Sequence, residues 1–106
     1  MKEDEVYIQH ILDAIGKIQE YTEDMSEEEF NEDSLVQDGV IRQIEVIGEA
    51  AKQLSKEKRQ KYEEIEWNDI AGMRDKLIHK YFGVDLEQVW ETVEKDIPKL
   101  KKALEG

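Results

Sequence analysis

The stretch Val40-Ile41-Arg42-Gln43-Ile44-Glu45-Val46-Ile47-Gly48-Glu49-Ala50-Ala51-Lys52-Gln53-Leu54 decides the fold. Val40, Ile44, Ile47, Ala51 and Leu54 recur at alternating intervals of four and three, the spacing of one face of an α-helix, and Val36 extends the stripe. Gly39 and Gly48 lie within this helix, where each costs about 1 kcal/mol relative to alanine. Small residues are kept where another backbone comes close, so the segment is expected at the centre of a helical assembly or at an interface. Arg42, Glu45 and Glu49 are spaced for ion pairs along its polar side.

Outward from this helix the same periodicity continues in both directions. Asn31 or Asp33 is placed to cap its start, and it is carried to about residue 54. Before it, Ile8, Ile11, Leu12, Ile15 and Ile18 form an apolar stripe on a first helix over about residues 3–23. His10 lies beside that stripe and is assigned no role. Ser26 and Glu29 fit a capping box, which predicts a short second helix ending near Phe30.

After residue 54, Ser55 begins a short charged helix reaching about Tyr62, whose cluster Lys56, Lys58, Arg59 and Lys61 reads as a solvated face. A fourth helix opens at about Trp67, with Ile70, Met73 and Leu77 as its buried stripe, and ends at Tyr81 before Gly83. Asp85-Leu86-Glu87-Gln88 then caps a fifth helix carrying Leu86, Val89 or Trp90, Val93, Ile97, Leu100 and Leu104. Pro98 removes a backbone donor inside it, and because the stripe keeps its phase, the spacing predicts a bend rather than a stop.

No strand alternation, hairpin turn signal or internal repeat appears. The expected fold is therefore all-α, an up-and-down bundle of four to five helices in one domain over residues 1–106. Broad apolar stripes on so short a chain also predict burial against a second copy, most commonly as a two-fold dimer. Charged residues make up 40% of the chain and apolar residues 39%, with the charges spread through the periodic segments, as on solvated helix faces.

The chain has no cysteine, which excludes a disulfide framework and thiolate metal sites. No apolar run approaches the roughly 18 residues of a membrane span, and the start of the chain is no signal peptide, so a soluble cytoplasmic protein is expected. A net charge of −12 argues against a generic nucleic-acid binder. Any RNA or nucleotide would have to be met by a local positive patch against the overall field.

One stretch provides such a patch. Arg74-Asp75-Lys76-Leu77-Ile78-His79-Lys80-Tyr81 gathers an arginine, two lysines, a histidine and a tyrosine at the expected end of the fourth helix. Cations in a last turn are favoured by the helix dipole by about 0.3–1 kcal/mol each, and Arg74 is placed to pair with acids on a neighbouring helix. The set also suits phosphodiester chemistry. A histidine exchanges protons near neutrality, and an arginine fork binds phosphate oxygens and stabilises developing charge.

The spacing Arg-x4-His-x-Tyr at Arg74, His79 and Tyr81 resembles the signature of HepT-like members of the HEPN superfamily. Trp67-Asn68-Asp69-Ile70-Ala71-Gly72-Met73 is similar to that family's lead into the motif, Tyr81-Phe82-Gly83-Val84-Asp85 to its exit, and Ile47-Gly48-Glu49-Ala50-Ala51 to its central helix. The resemblance implies a homodimeric helical bundle with two motifs sharing a cleft, and a metal-independent ribonuclease toxin that needs no cofactor. It further implies RNA as substrate and a small nucleotidyltransferase antitoxin, MntA, that transfers AMP onto the motif tyrosine. Arg74 and His79 would be the catalytic pair, Asp75 the supporting polar residue and Tyr81 the modified one.

Helical geometry adds a constraint. Five residues of regular helix set Arg74 and His79 about 140° apart around the axis and about 7.5 Å along it, whereas Asp75 and His79 share a face. Convergence of Arg74 and His79 then requires the arginine's reach, a loosened helix end, or a site made from two protomers, the last being preferred. Other functions compatible with the sequence are a non-catalytic partner that presents substrate to a nucleotidyltransferase, and a purely structural helical dimer.

Overall fold

The computed structural model describes residues 2–79 and 83–105, with the side chains of Lys2 and His79 outside that description. The chain is mostly helical. Helices α1 (Lys2–Tyr21) and α3 (Ser34–Gln53) form the central pair, joined through the short α2 (Glu27–Asn31). Their order is antiparallel. The Tyr21 ring at the end of α1 lies over Gly39 near the start of α3, while Asp4 at the start of α1 meets Ser55 just beyond the end of α3. Ile8, Ile11, Ile15 and Ile18 interlock there with Val40, Ile44, Ile47 and Ala51, and the same core takes in the apolar residues of the later helices.

The helix starts follow from capping chemistry. Ser26 and Glu29 make the reciprocal capping box, and Asp33, rather than Asn31, accepts from the Val36 N–H at the head of α3. Ser55 caps α4 (Lys56–Lys61), and Asp85 caps α7 (Leu86–Glu91). Phe30 of α2 stacks on Trp90 of α7 with ring centroids 5.2 Å apart.

The fifth helix continues through Pro98, as its stripe predicts. Its middle is a π-helical turn, Thr92–Asp96, between α7 and α8 (Ile97–Glu105). Proline lacks an N–H and its ring crowds the carbonyl four residues earlier, so a locally widened turn ahead of Pro98 is the physical answer to both. Val93, Ile97, Leu100 and Leu104 stay buried across it. Among the described residues, no helix is long and apolar enough to cross a membrane.

The fourth helix departs from expectation. It is divided at Gly72 into α5 (Trp67–Ala71) and α6 (Met73–Leu77), and it stops at Leu77 rather than at Tyr81. Ile78 turns extended, with φ −117° and ψ 113°, and a two-rung antiparallel ladder follows. Strand β1 (Ile78–His79) pairs with β2 (Gly83–Val84), Ile78 opposite Val84 and His79 opposite Gly83. The Asp85 N–H donates to the Leu77 carbonyl at 2.8 Å and closes the hairpin against the helix end. Gly83, read from sequence as a helix terminator, serves instead as a hairpin residue at φ +80°. That conformation is freely open to glycine, and Gly83→Ala is expected to lower stability by about 1–2 kcal/mol in denaturant melts.

The basic cluster is a second correction. Lys58 is buried, its ammonium paired with Glu5 and 5.9 Å from the centre of the Tyr62 ring. An Arg59 Nη2 donates to the Ala51 carbonyl at 2.9 Å, capping α3. These two side chains tie α4 to the central pair, and neither belongs to a solvated face. Ser55 completes the tie by donating its N–H and hydroxyl to the buried Asp4 carboxylate at 2.9 and 2.7 Å.

The Ser55 bonds hold the Asp4 carboxyl below its ordinary pKa, the Lys58 bond holds Glu5 below its own, and Glu5 raises Lys58 in return. The carboxylate contribution is therefore complete above the ordinary carboxylate values of 3.8 and 4.5 and is lost as pH falls through the depressed ones. The Lys58 contribution is lost only as pH rises beyond the ordinary lysine value of 10.5. Asp4→Asn should accordingly flatten the acid limb of a plot of unfolding free energy against pH, measured below about pH 4.5.

A close approach docks the next element. A Cβ on Gly48 would sit 3.1 Å from the Ala71 carbonyl oxygen and 3.6 Å from that of Ile70, so α3 receives the end of α5 directly on its backbone. Gly48→Val should cost about 1–3 kcal/mol in denaturant melts, because the obstacle is backbone and cannot rotate away.

Candidate active site

The docking of α5 on α3 places α6 one turn further along the same surface. Arg74, in the first turn of α6, extends across to α3. Its Nε lies 2.7 Å from Glu45 Oε2, and Glu45 stands three residues before Gly48 on the helix that carries it. The other carboxylate oxygen, Oε1, accepts from Arg42 Nη1 at 2.8 Å. One carboxylate thus bridges two guanidinium groups from different elements.

The three side chains are open to solvent to different degrees, 45% for Arg74, 67% for Arg42 and 33% for Glu45. Asp75 is almost fully exposed, and its carboxylate comes no closer than 3.9 Å to Arg74 Nη1, an ionic contact beyond hydrogen-bond reach. Lys76 turns to Asp69 of α5 at 3.6 Å.

His79 does not continue the helix. Its backbone lies in β1, two residues past the last residue of α6. The expected separation from Arg74 of about 140° around a helix axis therefore does not apply, nor does the shared helical face of Asp75 and His79. What joins Arg74 to His79 is a helix end followed by a strand, held by the Leu77–Asp85 bond and the pairing with Gly83. The His79 side chain and Tyr81 lie outside the described residues.

The opposite face of α5 and α6 lines a groove of about 670 Å³ against α8, with Ile70, Met73, Leu77 and Leu100 on its floor. Arg74 and Glu45 do not line this groove, so the polar cluster and the apolar groove occupy different sides of α6.

The Arg42–Glu45 pair along α3 and the pairing of Arg74 with an acid of a neighbouring helix are as the sequence predicts, but the sequence does not single out Glu45 as that acid. A signal was available. Gly48 marks the surface of α3 that receives another backbone, and residues three apart share a helical face. An acid one turn before that glycine is positioned to meet whatever cation follows the docked segment.

Comparison with known proteins gives this geometry a context. Residues 11–106 match the family described as "Ribonuclease HepT-like". A probable ribonuclease HepT of Thermococcus cleftensis is 46% identical over 93% of this chain and 90% of its own length. A candidate RNase of Caldanaerobacter subterraneus is 45% identical over 96% of this chain and 91% of its own. A Methanocaldococcus jannaschii protein, named as a gamma-glutamylcyclotransferase and candidate RNase, is 53% identical over 97% of this chain, which spans only 46% of that longer protein. No solved structure matches. The chain belongs to the ribonuclease HepT-like family.

Proposed function

We propose that this protein is a metal-independent endoribonuclease that acts as the toxin of a toxin–antitoxin pair in the cytoplasm. Its working form is a homodimer of the single HEPN-like domain over residues 1–106. The observation that carries the reading is the family match, combined with a half-exposed Arg74 guanidinium held on Glu45 at the head of the hairpin that bears His79. The relatives named as RNases support the same substrate class.

The chemistry assigned to the pair is an internal transesterification. The RNA 2′-hydroxyl gives up its proton to a base and its oxygen attacks phosphorus. The P–O5′ bond breaks, and the departing oxygen takes a proton, leaving a cyclic phosphate and a 5′-hydroxyl end. His79 is the proton-exchanging group, and Arg74 stabilises the charge that builds on the phosphoryl oxygens. Asp75 is kept as a supporting residue, now through its ionic contact with Arg74.

Arg74 and His79 from two protomers share one crevice in this reading, and since the helix stripes are buried within each bundle, exposed apolar side chains such as Val6, Leu35 and Val84 are what remain for pairing. Tyr81 is the acceptor of AMP from a small nucleotidyltransferase antitoxin. The added phosphate and adenine would block the crevice by bulk and by charge.

Purified protein free of any nucleotidyltransferase is expected to cut single-stranded RNA in excess EDTA. Arg74→Ala and His79→Ala should each lower the rate by about 10²–10⁴-fold. Mixed dimers of the two variants should regain part of the activity, because one composite crevice is then intact, whereas independent sites would regain none. Incubation with the partner enzyme and ATP should add AMP units to wild-type protein but not to Tyr81→Phe, as read by intact mass. A net charge of −12 favours a second reading, in which the chain is a non-catalytic subunit that presents substrate to the nucleotidyltransferase. That reading predicts no cleavage by the unmodified wild-type protein.

A further inference from the structure

Arg42 enters neither the sequence signature nor the proposed catalytic pair, yet the structure puts it on the same carboxylate as Arg74. Glu45 Oε2 takes Arg74 Nε at 2.7 Å, and Oε1 takes Arg42 Nη1 at 2.8 Å. We propose that Glu45 is a positioning residue that aims Arg74, and that Arg42 forms a second phosphodiester-binding position beside it on the RNA strand. The inference rests on the ribonuclease reading given above.

The geometry carries the first half. A guanidinium has five N–H donors in a planar fork. The ion pair with Glu45 engages the Nε edge of Arg74, whose side chain stays 45% exposed. Asp75 at 3.9 Å from Nη1 is too distant to occupy that nitrogen as a hydrogen-bond acceptor. A flexible side chain with one edge clamped loses less rotamer freedom when its other edge meets a phosphate. An ion pair this open to solvent adds little to stability, so Glu45 does more by aiming Arg74 than by holding α6 in place.

Charge carries the second half. The guanidiniums of Arg42 and Arg74 balance the Glu45 and Asp75 carboxylates, so the cluster is locally neutral on a protein whose total charge is −12. On an acidic protein, two guanidiniums held side by side are a local position at which a phosphate backbone can settle against the overall field. Arg42 uses one donor on Glu45 and is 67% exposed, which leaves most of its fork for a phosphate. Both guanidiniums lie within 2.8 Å of a single carboxylate, close enough for a single strand to touch both.

The test compares wild-type protein with Arg42→Ala, Arg42→Lys and Glu45→Gln, with thermal melts to verify folding. Cleavage kinetics are measured on a single-stranded RNA, and binding on its uncleavable 2′-O-methyl counterpart across a salt series. Arg42→Ala should raise KM and Kd about 10-fold and lower the slope of log affinity against log salt by about 0.7, the loss of one phosphate contact. Arg42→Lys, which keeps a point charge, should recover the salt slope but only part of the affinity. Glu45→Gln should act mainly on kcat, by about 10-fold, since it misaligns Arg74 without removing a cation.

An unchanged KM, Kd and salt slope in Arg42→Ala overturns the second phosphate position while leaving the ribonuclease reading standing. An unchanged kcat in Glu45→Gln overturns the positioning role in the same way. Wild-type protein that cuts no RNA overturns the reading and this inference together.

Discussion

The arrangement depends on one absence of side chain. At Gly48, the backbone of α3 comes so near the Ala71 and Ile70 carbonyls that a methyl group would sit 3.1 Å from an oxygen. Two helices in such contact cannot slide past each other without breaking it, so the short α5, too short to be stable alone, acquires a fixed seat. Arg74 inherits its position from that seat. The distance of one turn between Gly48 and Glu45 on α3 is matched by the step from Ala71 to Arg74 across the Gly72 break, and the ion pair forms where the two steps meet.

Scaffold and proposed site are divided accordingly. The α1–α3 pair, with its isoleucine stripes and capped helix starts, is the scaffold. Among the described residues the hairpin at its edge pairs by two rungs, and the Asp85 N–H closes it on the Leu77 carbonyl. In the proposed reading, the proton-exchanging His79 is carried on this strand rather than on a helix. Arg74, the cation of that reading, is anchored to the scaffold through Glu45.

Much of this was legible in the sequence because it is local. The stripes of α1 and α3, the Ser26–Glu29 box, the Asp33, Ser55 and Asp85 caps and the continuation through Pro98 all follow from residues within a few positions of one another. The signature Arg74, His79 and Tyr81 was visible for the same reason, and the family it resembles is the one the chain belongs to. The failures are long-range. Leu77-Ile78-His79 ends a helix only because Asp85 and Gly83 return to pair with it, and its β-branched and aromatic residues were compatible with either state. Lys58 resembled any surface lysine until Glu5, far earlier in the chain, was brought over it. Glu45 similarly had acceptable partners on its own helix, and only the docked α5 and α6 reveal the other.

The latch between Asp4, Glu5, Ser55 and Lys58 has a consequence for how the protein is made. Every group in it belongs to roughly the first half of the chain, as do both helices it fastens. A ribosome delivers that half first, and domains take shape from their leading segments as synthesis proceeds. When Ser55 and Lys58 clear the ribosomal exit tunnel, the segment from Arg74 to His79 is already synthesised but still sheltered within it, so a nascent chain can fasten its frame before that segment emerges.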